Sequence, residues 1–238
     1  MAEWFEEWFG EEYLHLYPHR NEADAGRLIA LLTRELPWRV GWRVLDVACG
    51  AGRHLAALER AGAVAFGFDL SLPLLRRARE ATARPLVRAD MRALPYRARS
   101  MDLTVNLFTS FGYFAADEEH TDALGQMLST VRPGGWFVID FLNAEQVRAS
   151  LVPVEETRYG ETLVRITRGL TADGRFVRKT IALADGRRFE ERVRLLGPEV
   201  LEGMLVAHGA IVRARFGDYD GAALGTGNRT ILVAQVAA

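Results

Sequence analysis

Three carboxylates, Asp46, Asp69 and Asp90, each stand at or near the end of a short apolar run. The first run, Val44-Leu45-Asp46-Val47, passes through Ala48-Cys49-Gly50-Ala51-Gly52 into Arg53-His54-Leu55 and a helical pattern. That order reads as strand, tight turn and helix. Glycines let a backbone turn sharply and approach a ligand that a side chain would exclude. The first amides of the following helix are left unpaired and point to the same place. The turn is therefore suited to a polar small molecule. A dinucleotide fits it poorly. The fingerprint G-x-G-x-x-G/A needs a small third position, and counting from Gly50 and Gly52 that position is Leu55. Asp46 would also oppose a pyrophosphate, whereas an acid there suits a ligand carrying positive charge.

Asp69 closes the run 64–69, near the roughly 20-residue offset at which an acid takes ribose hydroxyls in nucleotide-binding α/β units. A carboxylate can accept from both hydroxyls of a cis-diol. Asp90 lies near the end of a third run, 86–91, where it could accept from an adenine amino group, with Met91 against the ring.

These residues need elements to hold them. Further apolar strands are expected over 101–108, 136–142, 211–216 and 230–236. Helices are expected over 3–17, where Trp4, Phe5, Trp8 and Phe9 repeat at helical spacing, and over 21–36, stopped by Pro37. Others follow at 55–60, after Ser71, over 117–131 and from Pro198 to Gly209. Arg132-Pro133-Gly134-Gly135 breaks the helix before the fifth strand. Strands alternating with helices predict a parallel sheet covered on both faces. Ligands of such sheets bind at the carboxyl ends of the strands, where Asp46, Asp69, Asp90 and Asn106 all fall.

Composition narrows the class. The chain has 238 residues, 49% hydrophobic and 26% charged, with a formal net charge of -1. That balance gives no electrostatic reason to expect nucleic acid or an anionic membrane as partner. Cys49 is the single cysteine, so no internal disulfide forms. No metal-ligand cluster is evident. The acidic start lacks a basic signal region, and the expectation is a cytoplasmic protein. Lys179 is the only lysine; every other one of the 30 basic Lys and Arg residues is arginine.

With Asp46–Gly52, Asp69, Ala89-Asp90-Met91 and Arg132-Pro133-Gly134-Gly135 in hand, the chain resembles class I S-adenosylmethionine-dependent methyltransferases. The first motif of that family is usually acid-x-Gly-x-Gly-x-Gly, and this chain departs from it at Ala48. The resemblance covers roughly 43–143 and is nearest to small-molecule members such as glycine and amino-sugar N-methyltransferases. It implies a Rossmann-like sheet of seven strands, mostly parallel with an antiparallel last strand and helices on both faces, and S-adenosyl-L-methionine as cofactor. It implies cofactor contacts at Asp46, Ala48, Gly50, Gly52, Asp69, Leu70, Asp90, Met91, Leu107 and Phe108. Tyr13, Tyr17 and Arg20 match, by position and type, the residues placed over the methionine end. Tyr113 and Tyr219 are the candidates for contact with the methyl acceptor.

The segment between the fifth and sixth strands lies outside that core. Residues 162–167, 175–183 and 188–195 alternate with period two, and Asp173-Gly174 and Asp185-Gly186 are hairpin turns. A three-stranded antiparallel insert is expected, acting as a lid or wall for the acceptor and as a possible homodimer surface, with Glu190, Arg192 and Arg194 on the face that meets it. The expected organisation is a helical cap over 1–40, a core over 41–150 and 197–238, and an inserted lid over 151–196. The expected activity is methyl transfer to a nitrogen or oxygen of a small molecule by direct displacement. A non-catalytic binding protein of the same fold and, less favoured, a nicotinamide-dependent oxidoreductase are the competing readings.

Overall fold

Strands form where apolar runs can be buried on both faces, and helices where a polar stripe returns every three to four residues. The structure, a computed structural model, describes residues 3–17, 22–159 and 162–237. The chain runs α1 (Trp4–Trp8), α2 (Glu11–Leu16), α3 (Glu22–Glu35), β1 (Arg43–Val47), α4 (Arg53–Arg60), β2 (Val64–Asp69), α5 (Leu72–Ala78) and β3 (Leu86–Arg88). It continues with β4 (Met101–Asn106), α6 (Asp117–Thr130), β5 (Val131–Leu142), α7 (Ala144–Ser150), β6 (Val154–Tyr159), β7 (Thr162–Leu170), β8 (Phe176–Leu183) and β9 (Arg188–Arg194). It ends with α8 (Pro198–Ala207), β10 (Ala210–Phe216) and β11 (Arg229–Val236).

The main sheet has seven strands in the order β10-β11-β5-β4-β1-β2-β3. Five strands are parallel, and β11 lies antiparallel between β5 and β10. The order therefore reverses at β1, which has β2 on one side and β4 on the other. A crevice opens at the carboxyl ends at such a reversal. Alternate residues of β1 feed opposite faces: Val44 packs with Leu28, Leu32, Leu55 and Leu58, while Leu45 and Val47 pack with Met127, Leu128 and Leu205. Each such buried aliphatic side chain contributes about 1.5–3 kcal/mol.

The second sheet is antiparallel in the order β6-β7-β8-β9. It packs Val164, Ile166, Ile181 and Leu183 against Trp8, Tyr13, Leu16 and Leu74. The insert thus leans on the two N-terminal helices and α5.

The seven-stranded sheet and antiparallel insert follow the sequence expectation, with local differences. The single helix expected over 3–17 is two short ones turning at Gly10. The insert has four strands, because β6 is a largely exposed edge without apolar alternation. The third strand stops at Arg88, and Ala89 donates instead to the Asp69 carbonyl. β4 stops at Asn106 because Phe108 and Thr109 take left-handed backbone angles, φ +57° and +62°. β5 begins early, at Val131 opposite Met101, before a register shift restores pairing at Trp136 and Leu103.

Candidate active site

The turn after β1 carries three left-handed residues, Ala48 at φ +57°, Gly50 at +54° and Gly52 at +83°. A non-glycine residue in that region costs about 1–2 kcal/mol, so Ala48 is strained where the related motif has glycine. Gly52 is held by packing as well, since a Cβ there would lie 3.0 Å from the Ala78 Cβ. The Cys49 N–H donates to the Phe68 carbonyl at 2.9 Å. Gly50 N–H donates to Asp69 Oδ2 at 2.8 Å, and Ser71 N–H to Asp69 Oδ1 at 2.8 Å. Asp69 therefore ties the β1 turn to the start of α5 as well as facing the crevice.

A cavity of about 710 Å³ opens over this turn. Ala48, Gly50, Asp69 and Leu70 line it from the first two strand ends, and Asp90, Met91, Leu107 and Phe108 from the next two. Tyr13 on α2 and Tyr17 just past its end close it, with Arg53 and His54 from the start of α4. Asp46 and Gly52 stand outside the lining residues. Arg20 lies outside the described residues.

The cavity's electrostatics favour a cationic ligand. Asp46 is 1% exposed, and its Oδ2 has no hydrogen-bond partner among the described residues. Burial, reinforced by Asp69, pushes its carboxyl up to about 8, against the opposing pull of Arg53. Burial also raises Asp69, while the N–H groups of Ser71, Gly50 and Leu70 act the other way. Positive charge beside this pair would stabilise ionised Asp46. The residues present thus fit a sulfonium and ammonium ligand and suit a phosphate poorly. Asp90 lines the cavity, as expected, with its carboxylate already engaged. Burial raises its carboxyl, but the side chain and backbone N–H of Arg92 outweigh that and hold it below the usual range. Arg92 Nη2 lies 2.7 Å from Asp90 Oδ2, so an adenine amino group would share that carboxylate with Arg92.

A second cavity of about 470 Å³ lies between the strand ends, α7 and the insert. Phe9, Phe108 and Tyr113 line both cavities. Tyr113 donates to the Thr109 carbonyl at 2.7 Å. The Phe108 ring lies under Arg53, 4.0 Å from ring centroid to Cζ. Much of the second wall is aliphatic, with Val147, Leu151, Val177 and Val193. Its charges are paired, Arg168 with Glu155 at 2.7 Å and Lys179 with Glu191 at 3.3 Å. Glu191 Oε1 also accepts from Trp8 Nε1 at 2.6 Å.

Two sequence expectations meet a different geometry. Tyr219 lines neither cavity; it is buried and donates to Asp140 Oδ2 at 2.9 Å. Glu190, Arg192 and Arg194 also line neither. Arg194 pairs with Asp117 at 2.9 Å and Glu190 with Arg178 at 3.0 Å, while Arg192 sits 4.9 Å over the Phe176 ring. The opposite face of β9, with Glu191 and Val193, forms the wall, because the N-terminal helices cover that side. Arg53, Glu191, Asp140 and Arg229 were not singled out by motif or spacing. Lys179 did carry a signal, as the lone lysine among arginines.

The fold and the place of this site are those of class I methyltransferase domains, and the sequence is similar to them over its first half. Residues 44–135 match the family described as methyltransferase domain. The chain is 31% identical over 134 residues to a demethylmenaquinone methyltransferase of Corynebacterium kroppenstedtii, covering 56% of this chain and 53% of that protein. It is 33% identical over 123 residues to dTDP-3-amino-3,6-dideoxy-alpha-D-glucopyranose N,N-dimethyltransferase of Streptomyces fradiae, covering 51% and 46%. The chain spans about half the length of the curated relatives it matches. A solved S-adenosylmethionine-dependent methyltransferase from Clostridium acetobutylicum has the same fold, with TM-score 0.81, 17% identity and coverage of 95% of this chain and 98% of that one. No helix among the described residues is long and apolar enough to cross a membrane.

Proposed function

We propose that the protein transfers a methyl group from S-adenosylmethionine to a nitrogen or oxygen of a small molecule, with the cofactor in the first cavity and the acceptor in the second. The observation that carries this reading is the shared wall of Phe9, Phe108 and Tyr113 between two otherwise distinct cavities. The cofactor, when bound, supplies an electrophilic methyl group on a sulfonium. The chain's part is to align donor and acceptor and to exclude water. Asp69 would hold the ribose hydroxyls, and Tyr13, Tyr17 and Arg20 the methionine end. The aromatic wall keeps the junction dry, and Tyr113 contacts the acceptor from it. Glu191 is the carboxylate tied to the first cavity's wall, through Lys179 and Tyr17, and would attract a protonated amine by charge. The insert is the acceptor's lid and the segment over 1–40 the cofactor's cap. A small acceptor agrees with the net charge of -1, and an amine with the Streptomyces fradiae relative.

The test is calorimetric titration with S-adenosylmethionine, S-adenosylhomocysteine and NAD, followed by labelled-methyl transfer to a panel of amines, phenols and carboxylic acids. Binding of the first two ligands and transfer to one acceptor class are expected. Binding of NAD alone overturns the reading. Cofactor binding with no transfer across the panel supports the non-catalytic alternative.

A further inference from the structure

Asp140, on β5, is fully buried and collects donors from three separate parts of the chain. Its Oδ2 accepts from the Phe108 N–H at 2.9 Å and the Tyr219 hydroxyl at 2.9 Å. Its Oδ1 accepts from Arg229 Nε at 2.7 Å. Its carbonyl accepts from the Thr109 N–H at 2.9 Å and from Arg229 Nη2 at 3.3 Å. Arg229 Nη2 also donates to Thr109 Oγ1 at 3.1 Å, and the guanidinium lies 5.3 Å from the Phe108 ring centroid. Both residues so gripped, Phe108 and Thr109, have left-handed backbone angles. Two consecutive non-glycine residues hold that conformation only where their surroundings over-determine it. Their position is the junction of the two cavities: Phe108 lines both, and the Thr109 carbonyl receives the Tyr113 hydroxyl.

We infer that Asp140, Arg229 and Tyr219 form a positioning clamp, which sets the Phe108–Thr109 backbone and thereby the place where donor and acceptor meet; the inference rests on the two-cavity reading above. Asp140 and Tyr219 line neither cavity, so they act through Phe108 and Thr109. The clamp gives this part of the wall a fixed shape independent of ligand.

The test uses the full chain with S-adenosylhomocysteine as probe, in Asp140→Asn, Tyr219→Phe, Thr109→Gly and the two doubles carrying Thr109→Gly. Each clamp variant is expected to weaken binding roughly tenfold with unchanged circular dichroism, the scale of losing a hydrogen bond to a charged group. Glycine adopts the left-handed angle without strain. Thr109→Gly should therefore restore part of the affinity and thermal midpoint lost in Asp140→Asn and Tyr219→Phe. Additive losses in both doubles overturn the clamp, because a purely structural role for Asp140 predicts additivity. Should Asp140→Asn not fold, the Tyr219→Phe pair decides. Failure of the wild type to bind the probe overturns the proposed function instead, and non-additivity of the thermal midpoints then decides the clamp alone.

Discussion

Lys179 Nζ donates to the Tyr17 hydroxyl at 2.7 Å. Tyr17 belongs to the wall of the first cavity and Lys179 to that of the second, so one hydrogen bond joins the walls of the two cavities. Lys179→Met leaves Glu191 with Trp8 as a donor but without its cation. The expected outcome is cofactor affinity within about threefold of wild type and an acceptor Michaelis constant raised roughly tenfold or more, the range for losing a charge-assisted contact. Steady-state kinetics beside calorimetry check it. Equal losses in both constants would place Lys179 in the cap alone.

Asp46 predicts a proton coupled to cofactor binding. Burial, with Asp69 beside it, pushes its carboxyl up to about 8, which favours the protonated form at neutral pH. A cationic ligand nearby favours the carboxylate, and binding should release a proton. Calorimetry at pH 7 in buffers of different ionisation enthalpy should show that release, and Asp46→Asn should abolish it.

The same group sets a stability trend of defined sign. Its folded value lies above the ordinary carboxylate value of 3.8. The folded state therefore binds the extra proton, and the associated stability is present at low pH and lost as pH rises through about 8. Buried His54, held well below 6.5 by burial and then by Arg53 and Arg229, acts in the opposite sense at lower pH. Between pH 7 and 8.5 the thermal midpoint should fall, and Asp46→Asn should flatten the slope.

Ala48→Gly should stabilise the protein. It removes a left-handed penalty of about 1–2 kcal/mol and adds about 0.4–1 kcal/mol of unfolded-chain entropy. A net gain of up to about 1.5 kcal/mol, with cofactor affinity kept or improved, is expected from denaturant unfolding. A loss would show that the Ala48 methyl group supports the wall.

Asp69→Ala should cost more than a ribose contact. The ligand side alone is worth about 1.5–3 kcal/mol. The variant also leaves the N–H groups of Gly50 and Ser71 without their carboxylate. Both cofactor affinity and thermal midpoint should drop. A drop in the midpoint with unchanged affinity would remove Asp69 from the ribose site.

The core of the fold was legible because alternation of apolar strands and helices reports a layered sheet directly, and Asp46, Asp69 and the glycine turn sit where chain order puts them. β6 escaped because an edge strand exposed on both sides, with Glu155, Glu156 and Arg158, has no period-two signature. The side of β9 that lines the second cavity is hidden from the sequence for a related reason. Alternation separates Glu190, Arg192 and Arg194 from Glu191 and Val193, but not which set the aromatic helices will cover. Tyr219 and Asp140 show the limit most clearly: they are 79 residues apart in sequence and meet through tertiary packing.

The position of β11 between β5 and β10 bears on the order in which the site is assembled. Arg229 opens that strand, and it reaches Asp140 and Thr109, some 89 and 120 residues earlier in the chain. The glycine turn, β1 and β2 can form from contiguous sequence as the ribosome delivers it. The junction between the cavities must wait for β11, whose Arg229 comes 89 residues after Asp140. A nascent chain stalled before residue 229 would hold the elements of the first cavity without the guanidinium that grips its far wall, so completion of the sheet is also the step that completes the site.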